Sequence, residues 1–152
     1  MRLLVQRVAQ ASVEVDGQII GAIQRGLLVL IGFHKEDTLD LLPQAAHKLL
    51  NLRIFSDEAG KMNRSVREVS GSLLIVSQFT LYGRLEKGFR PSFIEAAPGD
   101  VAHSLYEAFL AELRRQAPDV SVQTGRFGAM MKVHLTNDGP VTVLLEFTGR
   151  KS

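Results

Sequence analysis

The chain has 152 residues, 45% of them hydrophobic and 22% charged, which is one domain's worth of sequence with enough apolar material for its own core. It contains no cysteine, which excludes a disulfide framework, thiolate metal sites and a cysteine nucleophile, and it fits a reducing compartment. Eighteen Lys and Arg stand against sixteen Asp and Glu, a net charge of +2 with the signs interspersed rather than gathered into a basic stripe.

The first residues alternate and reach Arg7 too early for the apolar core of a signal peptide. The longest apolar run, Leu27 to Phe33, is far short of the ~20 residues of a membrane span. The expectation is a cytoplasmic protein with no membrane partner. Leu3, Val5 and Val8, then Ala11 to Val15, alternate with polar residues and predict strand. Asp16-Gly17 is a hairpin signal, because both central residues of a type I′ turn need positive φ. Residues 18–23 form the return strand, and Gln24-Arg25-Gly26 turns again. Leu27 to Ile31 is continuously apolar and predicts a central strand covered on both faces. The three strands are expected to make a meander.

Leu42, Ala45, Ala46, Leu49 and Leu50 form a helical stripe beginning near Pro43. Arg53-Ile54-Phe55 is a short extended segment followed by a turn at 57–61. Ser72 to Leu81 begins as a strongly apolar strand. Residues 82–98 are a long loop holding five charges, and a connection of that length points to function or disorder. Asp100 is the expected N-cap of the clearest helix, carried by Val101, Leu105, Phe109 and Leu113 and ending before Pro118. Val120 and Val122, then Met131, Val133 and Leu135, alternate. Asn137 to Pro140 predicts a turn, Val141 to Phe147 the last strand, and 149–152 a solvated tail. The sum is one α+β domain, mostly antiparallel, with two main helices on the sheet.

The usual carriers of chemistry are missing. His34, His47, His103 and His134 have no metal-ligand spacing, and the chain has no phosphate-loop, dinucleotide or nucleophile-elbow motif. No metal or cofactor is expected. Two polar patches remain. In Ser77-Gln78-Phe79-Thr80 a buried strand turns polar beside a long loop. The patch reads either as a strand leaving the core or as hydroxyls and N–H groups facing a carbonyl. Thr80 is a weak nucleophile without a neighbouring base. In Asn137-Asp138-Gly139-Pro140-Val141-Thr142 the bland reading is a turn between strands. A cis Gly-Pro bond, only ~0.5–1 kcal/mol above trans, would instead turn two carbonyls to one side.

These two patches resemble the signatures of the D-aminoacyl-tRNA deacylases: Ser77 to Leu81 matches S-Q-x-T-L, and Asn137 to Thr142 matches N-x-G-P-V-T. The resemblance continues through Gln6-Arg7-Val8, Arg53-Ile54-Phe55, Gly60 to Asn63, Arg90 to Phe93 and Gln123 to Phe127, so it covers nearly the whole chain in the family's order. It implies a single α+β domain over residues 1–152, with a curved, barrel-like, mostly antiparallel sheet and two main helices, working as a homodimer. It further implies hydrolysis of the ester between a D-amino acid, or mischarged glycine, and the 3′ end of tRNA. By that likeness Ser77, Gln78, Phe79 and Thr80 line the catalytic side. Gly139 and Pro140 reach from one subunit into the other's site and reject L-residues, and backbone groups with the substrate's 2′-hydroxyl do the work of a triad. Met131 is counted with the substrate-binding residues, although Met130 and Met131 also read as core. Arg7 either orients the Gly-Pro segment or is a surface strand residue. Phe79 either packs in the core or stacks near the terminal adenine. Arg84, Lys87 and Arg90 are phosphate contacts or a solvated loop. Two alternatives stay open: a non-catalytic RNA-binding dimer, and a sister group that edits L-alanine, in which the Gly-Pro peptide is trans.

Overall fold

The computed structural model describes residues 1–149, so the expected tail at 149–152 lies outside them apart from Gly149. One long strand organises the sheet. β1 (Arg2–Val15) pairs antiparallel with three others: β2 (Gln18–Ile23), β3 (Gly26–Gly32) and, at the far end of the sequence, β8 (Lys132–Glu146). Asp16 and Gly17, at φ 51° and 77°, make the β1–β2 turn that the Asp-Gly pair predicts.

The first three strands are not a meander. β3 bonds to β1 and not to β2, so the order is β2-β1-β3. Its pattern explains why: β3 is buried almost throughout and needs a neighbour on each side, whereas β2 is largely exposed and suits an edge. On its other side β3 runs parallel to β6 (Ser72–Ser77), which in turn runs parallel to β7 (Val122–Thr124). The connection from β3 to β6 carries α1 (Leu42–Asn51) and a small hairpin of β4 (Phe55–Ser56) with β5 (Met62–Arg64). The connection from β6 to β7 carries α2 (Gly99–Gln116).

The sheet curls until β2 approaches β7. There a Cβ on Gly21 would lie 2.4 Å from the carbonyl oxygen of Thr124, so only glycine permits the near-closure. Curling gives the sheet two apolar faces. Leu27, Val29, Ile31, Leu73 and Ile75 point outward against the two helices, while Leu28, Leu74 and Val76 point into the barrel with Val8, Val13 and Ile23. A strand covered on both faces must be apolar where it is covered, as β3 is and as β6 is from Leu73 to Val76 between its terminal serines. β1 changes allegiance along its length: Leu3 and Val5 face the helices, Val8, Ala11 and Val13 the barrel. Register shifts on either side of Val8 accompany the exchange, since a one-residue slip reverses every side chain.

Both helices fall where their stripes predict. α1 carries Pro43 in its first turn. α2 starts one residue before the expected cap: Pro98 precedes Gly99, its carbonyl accepts from the Ala102 N–H at 2.8 Å, and Asp100 lies inside the first turn, where the helix dipole favours a carboxylate. The Tyr106 hydroxyl donates to the Ile75 carbonyl at 2.7 Å and ties α2 to β6; burial pushes its phenol up from the ordinary value.

Asn137 to Pro140 is not a turn between two strands. β8 continues through it, pairing with β1 at Gln6↔Thr142 on one side and Val8↔Asn137 on the other. Residues 138–141 are therefore an excursion opposite Arg7, not a reversal.

Candidate active site

The Ser77-Gln78-Phe79-Thr80 patch lies where β6 ends. Apolar sequence carries the chain up to Val76, and the Gln78 N–H then bonds to the Ile31 carbonyl at 2.7 Å, the last link between β6 and β3. The chain next winds into a single 3-10 turn, Phe79–Tyr82, closed by Leu81 N–H to Gln78 carbonyl at 3.2 Å and Gly83 N–H to Thr80 carbonyl at 3.0 Å. Gly32 makes room for it, since a Cβ there would sit 2.8 Å from the Gln78 oxygen and 3.1 Å from Leu81 Cβ. Arg2 braces the turn from behind: its Nη1 donates to the Leu81 carbonyl at 2.7 Å, and its guanidinium lies 4.6 Å over the Tyr82 ring.

The first two N–H groups of a 3-10 turn have no carbonyl within it to bond, and here they belong to Phe79 and Thr80. The Gln78 side-chain amide donates to the Thr80 hydroxyl, so Thr80 Oγ1 is engaged by a donor and not by a base. Ser77 and Gln78 are half-buried; Phe79 and Thr80 are exposed. Phe79 is thus not core: it is 59% exposed and packs edge-on against Phe93, with ring centroids 5.1 Å apart.

These residues form one wall of an open cleft of about 700 Å³. The end of β3 and the start of α2 contribute Gly32, Phe33 and Ala102, the segment before β8 contributes Phe127, Ala129, Met130 and Met131, and β8 itself contributes Val133. The cleft is mostly apolar, with polar groups gathered at Ser77 to Thr80, the ordinary make-up of a small-molecule pocket. Met131 lines it half-buried. Met130 is 93% exposed and so is not core, because it precedes β8 and has no sheet to pack on. Phe127 and Gly32 are contributors that composition and spacing did not single out. The Gly125-x-x-Gly128 spacing was the available signal for the first, and β3 showed none for the second. Among the described residues no group of three or more His, Asp or Glu stands together as metal ligands. His34, buried behind the cleft, accepts the Glu36 N–H on Nδ1 at 3.0 Å and packs edge-on against Tyr82.

The second patch is elsewhere. Arg7, Gly139 and Pro140 do not line the cleft of their own chain. Arg7 reaches across β1: its Nε donates to the Asp138 carbonyl at 2.9 Å and its Nη1 to the Ile54 carbonyl at 2.8 Å. Its side chain is 12% exposed, so it is a half-buried tether and not a freely solvated strand residue. The Asn137 side chain closes the excursion from the other side, accepting from the Val141 N–H at 2.7 Å and donating to the Thr142 hydroxyl at 2.9 Å. Gly139 has φ 137°, and the Gly139-Pro140 peptide is cis. Both residues are exposed to solvent at the crest of the excursion.

The D-Tyr-tRNA(Tyr) deacylase family model matches residues 4–146. D-aminoacyl-tRNA deacylase of Ectopseudomonas mendocina is 55% identical over 146 residues, 96% of this chain and 99% of that one. The protein of the same name from Protochlamydia amoebophila is 52% identical over 151 residues, 99% of each chain. Among solved structures, the c-Myc DNA Unwinding Element Binding Protein superposes with a TM-score of 0.93 at 45% identity, covering 98% of this chain and all of that one. A structure described as a probable eukaryotic D-amino acid tRNA deacylase has a TM-score of 0.81 at 23% identity over 95% of this chain and 97% of its own, a likeness of fold. The two signature segments and a match over nearly the full length agree, and the chain belongs to the D-Tyr-tRNA(Tyr) deacylase family, as an aminoacyl-tRNA deacylase.

Proposed function

We propose that this protein hydrolyses the ester joining a D-amino acid, or glycine, to the 3′ end of tRNA, and spares L-aminoacyl-tRNA. The observation that carries the reading is the 3-10 turn at Phe79–Tyr82, whose leading N–H groups belong to a wall of a mostly apolar cleft. An ester is already activated, so the demand on the enzyme is to stabilise the oxyanion and position water. In the proposed reaction water adds to the ester carbonyl, and the carbonyl oxygen takes up negative charge beside the Phe79 and Thr80 N–H groups. The bond to the ribose oxygen then breaks, and that oxygen leaves with a proton relayed by the neighbouring 2′-hydroxyl. Free tRNA and the amino acid result. Thr80 acts through its backbone in this scheme, in keeping with a hydroxyl that meets an amide rather than a base.

Chiral selection is assigned to Gly139 and Pro140 of a second copy of the chain. Their exposed position away from their own cleft, held by Arg7 and Asn137, suits a segment offered to a partner. Carbonyls lining the pocket would collide with an L-substituent and leave room for a D-substituent. Glycine, with nothing to collide, would escape rejection. A homodimer and a cytoplasmic setting belong to the same proposal.

The deciding experiment is deacylation of matched D-, L- and glycyl-tRNA. The D- and glycyl-esters are expected to be cleaved and the L-ester spared; equal cleavage of D and L would sink the assigned selection. A second reading, a non-catalytic nucleic-acid-binding protein, draws on the name of the 45% identical structural relative, and cleavage of none of the three esters would favour it.

A further inference from the structure

The loop that follows the 3-10 turn leaves the cleft wall and returns to it. Arg84 and Ser92 exchange backbone hydrogen bonds at 2.7 and 3.0 Å, closing its neck. Gly83 lies so close to Phe93 that a Cβ would be 3.0 Å from the ring, and Phe93 in turn packs on Phe79. Gly88 turns the tip with φ 63°. The loop is therefore stapled to the cleft at its base and is not a free tether.

Its tip has an unusual surface. Phe89 is fully exposed, at 107%, where an ordinary solvated loop would carry a polar residue. Arg84 lies between Glu86 and Glu95, 3.4 Å from each, so its charge is already committed. Lys87 and Arg90, on either side of Phe89, have no ion pair or hydrogen bond from their side chains among the described residues. An exposed ring between two uncommitted cations is what a single nucleic-acid strand requires: a base stacks on the ring and the flanking phosphates meet the cations. A second copy of the chain is a poorer occupant, since a two-fold contact through Phe89 would bring like charges together. Phe93 follows Phe89 by four positions, a reach of at most about 14 Å, which is no more than about four stacking steps of 3.4 Å.

We propose that the loop tip is a binding platform for the unpaired nucleotides just upstream of the aminoacylated nucleoside, with Phe89 stacking on a base and Lys87 and Arg90 holding phosphates. The proposal rests on the deacylase reading and adds how the RNA part of the substrate is recognised.

The test compares full-length D-aminoacyl-tRNA with D-aminoacyl-adenosine, a minimal ester lacking the upstream nucleotides, and measures anisotropy of a labelled single-stranded RNA bearing the tRNA 3′ sequence. For Phe89→Ala the KM for tRNA is expected to rise about 5- to 150-fold, the range for loss of one base–aromatic stack, with kcat nearly unchanged and the minimal ester unaffected. Phe89→Tyr restores the wild-type KM. Lys87→Ala and Arg90→Ala each lower the slope of log affinity against log salt by about 0.7, the value per single-strand phosphate contact. Equal losses on both esters, no change on tRNA, or loss of self-association in sedimentation without selective loss on tRNA would each overturn the proposal. Should the wild type cleave neither ester, the deacylase reading fails and the RNA anisotropy alone decides the platform: weakened binding by Phe89→Ala supports it, unchanged binding overturns it.

Discussion

Arg7→Ala separates the tether from the cleft. In the native fold the guanidinium links two carbonyls distant in sequence, Asp138 in the β8 excursion and Ile54 after α1. Backbone pairing of β1 at this position, with Leu27, does not involve the side chain, so truncation leaves the sheet intact. A hydrogen bond from a charged donor contributes about 1.5–3 kcal/mol when sheltered and less when wet. The Ile54 bond is partly buried and the Asp138 bond exposed, which places the combined cost at about 2–4 kcal/mol. For a chain of this length that corresponds to a fall in Tm of about 6–12 °C. Thermal unfolding followed by circular dichroism at matched protein concentration measures it, and the D-to-L cleavage ratio measured on the folded variant should fall with it. Arg7→Lys, which can satisfy one carbonyl but not both in the same geometry, should lie between. A Tm within about 1 °C of wild type together with an unchanged D-to-L ratio would refute the assignment of Arg7 as the tether.

Other substitutions probe the cleft and the sheet. Thr80→Ala should keep kcat/KM within about tenfold, because the proposed donor is its N–H; a loss above about 1,000-fold with circular dichroism unchanged would make the hydroxyl the nucleophile. Gly26→Ala puts a Cβ 1.9 Å from the Ser72 carbonyl oxygen in the parallel β3–β6 ladder and should cost upwards of about 3 kcal/mol, read as a lowered denaturant midpoint. Tyr106→Phe removes the bond to the Ile75 carbonyl and should cost about 1–3 kcal/mol at neutral pH. The same phenol has a pH signature. Its folded value is raised above 10 by burial, so its contribution is whole below pH 10 and is lost as the unfolded chain ionises above it; Tyr106→Phe should flatten that alkaline fall in stability.

Much of this molecule is legible in its string of residues, for reasons that are local. Asp16-Gly17 specifies its turn because few residues tolerate positive φ. The stripes of α1 and α2 specify helices because one face of each must meet a sheet. The apolar runs of β3 and β6 announce strands covered on both sides, and Ser77 to Thr80, which line one wall of the cleft, are contiguous in the chain. What only the tertiary structure decided is which neighbour each element meets. An apolar run says that both faces are covered, not that β3 skips β2 for β1 or runs parallel to β6. Asn137 to Pro140 has the composition of a reversal, yet pairing of β1 with residues on both sides of it keeps β8 running straight through. Gly32 reads as an ordinary strand residue until the 3-10 turn is laid against it, and the two readings of Arg7, a surface strand residue or a brace for the Gly-Pro segment, are separated only when folding brings it to a carbonyl 131 residues away. Local stereochemistry writes turns and stripes into sequence directly; a contact between distant segments has no local energy, and exists only once the sheet has curled to make it.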